Sequence, residues 1–227
     1  FKPVLRKANR EGLKWITRRV LEPQPISTTG FWKDLHWANE AHFRKGAIEH
    51  CPYGKAGDYC YMREPMVRNG AYAWYNDDNQ PVINIFTGEM LKWRWKKDIL
   101  TSIFMPKEAA RFLYQYTSIR VERLREITEE DAKAEGIVEE KPGWFKIELP
   151  EDHAASSISS NSAQGVYQVL FDHINLKRGY SWDTNPWVWV LEYSPVKLIN
   201  IHTIGEKLNG LHADTIILDE VRDESSK

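Results

Sequence analysis

An ammonium, a hydroxyl and a carboxylate stand out as a set that could do chemistry together. Lys14 and Thr17 lie in the run Gly12-Leu13-Lys14-Trp15-Ile16-Thr17-Arg18-Arg19, which reads G-x-K-x-x-T-x-R. Glu135 lies far along the chain, in the acidic segment Thr128 to Ile137. Amide hydrolysis needs a nucleophile, a base to activate it and an acid for the leaving nitrogen. Thr17 could attack an acyl carbon or position a water. Lys14 could act as base only if neutral, far below its free pKa of ~10.4. Burial would push that value down and a nearby Glu135 would push it up, and the sequence leaves the balance open. In a second scheme Glu135 moves the proton while a charged Lys14 polarises the carbonyl oxygen. Three residues separate Lys14 from Thr17, which puts them on one face of a helical turn and on opposite sides of an extended chain.

Plainer roles compete with these. Lys14, Arg18 and Arg19 could form a solvated basic edge, Thr17 could be a cap, and Glu135 could belong to a solvated acidic helix face. Arg63-Glu64 follows a turn and could be a surface ion pair, and Ser102 to Pro106 could be packing.

The elements that must position these groups are short. Residues 1–5 read as a first strand and 8–15 as a short helix or turn ending at Gly12. Pro23 and Pro25 break the chain after Val20-Leu21, and 26–56 reads as a loop-rich insertion. Strands are expected at 59–64, 71–75 and 82–86, with a hairpin turn at Asn76 to Asn79. A long strand is expected within 111–124. Thr128 followed by Asp131 signals a helix start and Gly136 its stop. Residues 150–162 read as an exposed loop. Val166, Val169, Leu170, His173 and Ile174 recur at helical spacing, with Gly179 as the stop. Trp187 to Tyr193 is a strand whose tryptophans share one face, most simply a core face. Residues 196–220 could hold a short strand and a helix. The pattern is α+β, suited to a small, nearly closed β-barrel with flanking helices.

With 227 residues, one domain with insertions is expected: 1–193 with insertions at about 26–56 and 66–100, then an extension over 194–227. The net charge of −1 argues against a large phosphate-binding face. Local basic patches remain, at Lys14, Arg18 and Arg19 and at Lys92, Arg94, Lys96 and Lys97. Cys51 and Cys60 lack zinc-ligand spacing and read as reduced thiols. No run approaches membrane-spanning length and no signal sequence is visible, so no membrane partner is expected.

Four ordered stretches together resemble the ASCH family of the PUA-like superfamily, in the larger form found in phages and prophages. They are the run at 12–19 with Pro23-Gln24-Pro25; Cys51 to Asp58 leading to Arg63-Glu64; Ser102 to Pro106 leading to Val121-Glu122-Arg123-Leu124 and Ile127 to Ala132; and Ile174-Asn175, Lys177 to Tyr180, Trp182-Asp183 and Asn185 to Val190. They span about residues 1–193.

The resemblance implies a PUA-like barrel with a cleft that binds a nucleoside or a nucleic-acid base, in the cytoplasm of a bacterial host. It further implies hydrolysis of the N-acyl amide of a modified pyrimidine such as N4-acetylcytidine, with no metal or organic cofactor. Lys14, Thr17 and Glu135 match the catalytic positions. Arg19 matches the motif's final arginine, and Arg63, Glu64 and Ser102 would line the cleft. The alternatives are a non-catalytic module binding single-stranded RNA or DNA, which would also use the Lys92–Lys97 patch, and a ribonuclease. This chain is more than twice as long as the small amidohydrolase of that family, so its insertions could reshape the cleft.

Overall fold

The computed structural model describes residues 3–25, 30–32, 35–149 and 157–196. In chain order these form α1 (Pro3–Arg10), β1 (Ile16–Val20), β2 (Gly30–Trp32), β3 (Leu35–Trp37), α2 (Glu40–Ala47), β4 (Tyr59–Tyr61), β5 (Met66–Asn69) and β6 (Tyr72–Tyr75). They continue with β7 (Ile99–Leu100), β8 (Leu113–Arg123), α3 (Glu129–Ala134), β9 (Val138–Lys141), β10 (Trp144–Glu148), β11 (Ser157–Ser160), α4 (Ala163–Asn175) and β12 (Trp187–Pro195). The fold is α+β, with a curled, half-open four-stranded antiparallel sheet in the order β1–β12–β8–β4, flanked by helices. The chain divides into two compact units. One is built mainly on Gly57–Gln115, the other on Lys7–Ala56 and Tyr116–Tyr193.

In the second of these, which carries the motif, β1 runs antiparallel to β12, with Thr17 opposite Leu191 and Arg18 opposite Val190. Trp187 to Leu191 are buried on both faces of the strand. The Trp187 ring packs edge-on to Phe43 at 5.0 Å, and Phe43 meets Trp37 at 4.6 Å. Phe43 sits on α2, inside the segment read as loop. Asn39 starts that helix by accepting from the His42 amide at 2.9 Å, and Phe43 and Ala47 bury its inner face.

The start of the chain differs from the strand expected there. Pro3 opens α1, at a position where its missing N–H leaves no bond unmade. Gly12, at φ 70°, closes the helix, with its N–H on Asn9 O and that of Leu13 on Ala8 O. At the other motif, Thr128 Oγ1 accepts from the Asp131 amide at 3.1 Å and so caps α3. Glu129 on α3 crowns the next helix, accepting from Ser162 Oγ at 2.5 Å and from the Ala163 and Gln164 amides at 2.8 and 3.3 Å. The helix expected around 166–174 is α4, and Gly179 follows it at φ 83°.

In the Gly57–Gln115 unit, β4 pairs with the first residues of β8, Tyr61 opposite Leu113. A separate sheet in the order β6–β5–β7 packs Met66, Ala73, Tyr75 and Leu100 into a core with Val82, Leu91 and Met105. The segment 66–100, read as an insertion, thus carries strands and a core. The strand expected at 82–86 reduces to a bridge between Ile83 and Met90. The expectations for 196–220 lie almost wholly outside the described residues, as does the first half of the loop at 150–162. Residues 157–160 form β11. Among the described residues no helix is long and apolar enough to cross a membrane.

Candidate functional site

Lys14 and Glu135, 121 positions apart, meet. The backbone stretch just after Gly12 forms an isolated antiparallel bridge with the end of α3, pairing Lys14 with Glu135, and the Trp15 amide binds Ala134 O at 3.0 Å. Gly136 makes the approach possible. It adopts φ 101°, and a Cβ there would stand 3.0 Å from Ala8 Cβ and 3.5 Å from Lys14 Cβ.

Lys14 Nζ donates to Ile16 O at 2.8 Å, to Glu135 O at 3.2 Å and to Glu135 Oε2 in a short contact. Three acceptors use the three hydrogens of an ammonium. Burial, the largest influence, pushes the Lys14 pKa below its ordinary value. Glu135 opposes it through charge and hydrogen bond, Arg19 and Arg18 reinforce it, and the outcome is downward. The balance that the sequence left open falls on the side of burial.

The Glu135 carboxylate also hydrogen-bonds with the Tyr167 phenol, and its other oxygen, Oε1, is buried. It faces Arg18 Nη1 at 3.8 Å. Arg18 is buried, as Lys14 is, so the alternative of a solvated basic edge does not hold for either. Its guanidinium meets Asp131 in a short contact and Glu122 at 3.4 Å. Burial works against its charge, but Tyr167, Glu135 and Asp131 outweigh that and its pKa lies above the usual value. Asp131 also holds Arg120 at 2.7 Å, and Arg120 contacts Glu122 and Glu192. Asp131 and Glu129 are therefore working acids of the acidic run, each tied to a partner across the fold.

Tyr167 on α4 is buried beside this cluster. Burial and then the Glu135 charge hold its phenol well above the ordinary value, so it stays protonated. Sequence reading missed Tyr167 as well as Arg18 and Asp131. The helical repeat was read through Val166, Val169 and Leu170, and one strand's alternation was the signal available for Arg18.

Thr17 is buried on β1, an extended strand. The helical-turn geometry that would align it with Lys14 is absent there, and its hydroxyl is not among the partners of Lys14 Nζ. Arg19 is partly exposed, and its charge reaches Lys14, Tyr167 and Tyr53.

Arg63, Glu64 and Ser102 belong to the Gly57–Gln115 unit. Arg63 and Glu64 each meet a different partner. Arg63 donates to Ile103 O, in the turn that Ser102 begins. Glu64 is fully buried and accepts Arg111 in a two-pronged pair at 2.7 and 2.6 Å. Arg111 also reaches Asp78 at 2.8 Å and lies 3.8 Å over the Tyr75 ring. That set has the form of an anchor in the unit's core.

Cys51 and Cys60 remain thiols. Among the described residues no group of three or more His, Cys, Asp or Glu is placed to hold a metal ion. Comparison with family models, with curated proteins and with solved structures finds no match to this chain. Its chemistry is read from these side chains alone.

Proposed function

We propose that this is an ASCH-type, PUA-like protein that binds a nucleoside or nucleic-acid base and hydrolyses the N-acyl amide of a modified pyrimidine such as N4-acetylcytidine. The observation that carries the reading is the buried contact of Lys14 with Glu135, groups the resemblance had singled out from opposite parts of the sequence. Glu135 Oε2 is held by Lys14, while Oε1 is buried and faces Arg18. In the reaction, Oε1 takes a proton from water, whose oxygen forms a bond to the acyl carbon. Lys14 exchanges one of its carbonyl partners for the substrate oxygen and stabilises the developing oxyanion. The C–N bond then breaks, and Glu135 returns the proton to the leaving nitrogen. Carboxylic acid and free pyrimidine amine are the products. Thr17, on the extended β1, takes no step in this scheme.

One observation favours a second reading, a binding module without chemistry. Lys14 and Glu135 are 2% and 4% exposed, and Lys14 already has three acceptors. A pair so enclosed can serve as a fixed strut. Hydrolysis of N4-acetylcytidine and of its deoxy form, followed by chromatography, separates the two. Turnover by the wild type that is lost in folded Lys14→Ala supports the amidohydrolase. Equal turnover by both proteins, or none by either, removes it.

A further inference from the structure

The Gly57–Gln115 unit carries a second surface with its own chemistry. On β6, Ala73 and Tyr75 turn into the core, so Tyr72 and Trp74 share the outer face. Tyr72 is exposed and Trp74 half-buried. Residues two apart on a strand are about 6.8 Å apart, which leaves two rings side by side on one face.

Tyr72 lies opposite Lys92 across an antiparallel bridge. The flanking bonds are Ala73 N to Leu91 O and Trp93 N to Ala71 O, each 2.8 Å. This is the pairing in which opposed Cα atoms stand about 4.5 Å apart, so the Lys92 stem lies beside the Tyr72 ring. From Lys92 the chain alternates. Lys92, Arg94 and Lys96 are exposed, while Trp93 and Trp95 turn inward and pack edge to face at 5.0 Å. Lys97 extends the exposed row. Two counter-charges touch this region: Glu108 holds Arg94 at 2.7 Å, and Asp98 meets Arg68 at 3.5 Å. Among the described residues Lys92, Lys96 and Lys97 have no ion pair.

We propose that this outer face binds single-stranded nucleic acid, with bases stacked on Tyr72 and Trp74 and phosphates held by Lys92, Arg94, Lys96 and Lys97. Lys92, Arg94 and Lys96 are exposed at alternate residues before the chain bends at Lys96 to Asp98. Rings on β6 and cations on the segment bridged to it are what stacked bases and their backbone require together. A duplex hides its base faces and would use the cations alone. The surface is independent of Lys14 and Glu135, and stands or falls apart from the hydrolysis proposed for them.

The test is fluorescence anisotropy with end-labelled oligo(dT) and oligo(U) of about twelve nucleotides, titrated with the full chain over a range of salt. Four phosphate contacts give a slope of log K against log salt near −2.8, at about −0.7 per contact for single strands. Lys92→Ala/Lys96→Ala/Lys97→Ala should reduce the slope to about −0.7. Tyr72→Ala should weaken binding about five-fold or more with the slope unchanged. No saturable binding of either oligonucleotide at low salt would overturn the proposal, as would a slope unchanged in the triple variant. Duplex bound as tightly as single strand would overturn the stacking. Binding to phosphatidylserine vesicles in place of oligonucleotide would assign the surface to a membrane and overturn it too.

Discussion

Replacing Glu135 with leucine leaves the Lys14 ammonium in a place from which water is excluded. The Lys14 side chain has no exposed surface and that of Glu135 is 5% exposed. Two routes are open to the variant. It can keep a charged lysine that has lost its carboxylate partner, or it can release the proton. Holding a neutral lysine at pH 7 costs about 4.6 kcal/mol, since ~3.4 pH units separate that pH from a free pKa of ~10.4, at ~1.36 kcal/mol each. This bounds the loss from above and agrees with the ~3–5 kcal/mol typical of a broken buried pair. Urea unfolding at pH 7 should therefore show Glu135→Leu destabilised by about 3–5 kcal/mol. The equivalent fall in Tm is roughly 10 °C. The loss also has a pH signature. Lys14 already lies below its ordinary pKa and drops further without Glu135, while in the unfolded chain it keeps the free value. Between those values the unfolded variant binds the extra proton, so its stability rises with pH by up to about 1.4 kcal/mol per unit. The gap to wild type should narrow from pH 7 to 9. The double variant Lys14→Met/Glu135→Leu should recover most of the loss and show no such narrowing. A loss under about 1 kcal/mol at pH 7, or one that does not change with pH, would refute the reasoning.

Other sites give sharper single outcomes. Gly136→Ala combines φ 101° with a 3.0 Å clash against Ala8 Cβ, so it should cost at least about 1–3 kcal/mol by chemical denaturation. Arg111→Met strips the guanidinium from the fully buried Glu64 carboxylate and should cost about 3–5 kcal/mol, with Glu64→Gln/Arg111→Met milder. Burial opposes ionisation of Glu129, but the bonds from Ser162, Ala163 and Gln164 prevail and its pKa lies below the ordinary 4.5. Its contribution is thus present above pH 4.5 and lost as pH falls through the folded value. The stability gap between wild type and Glu129→Gln should close on acidification, as urea melts from pH 6 downward would show.

Much of the frame was legible because local signals fixed it. The strand at Trp187, the long strand ending at Arg123, the Thr128 cap and the helix over Val166 to Ile174 all follow from period and capping chemistry. What failed has physical causes too. Pro3 can open a helix as readily as interrupt a strand, so the first turn of α1 reads as a strand while its end, before Gly12, reads as a short helix or turn. The helix α2 is too short to repeat its apolar face, and Phe43 and Ala47 alone anchor it. Within the candidate site, sequence reading singled out Lys14 and Glu135, which do meet. It could not foresee that β1 is extended at Thr17. Nor could it see that Arg18 and Asp131 find each other over 113 positions, because charge pairing across a fold leaves no mark in either local segment.

The most direct test of the central claim is a crystal structure of the protein with N4-acetylcytidine bound to a slow variant, Glu135→Gln. The account predicts the acyl oxygen within hydrogen-bonding distance of Lys14 Nζ, and the side chain at position 135 facing the acyl carbon. A nucleoside bound elsewhere, with Lys14 still holding its three partners, would contradict it and leave the pair as a strut.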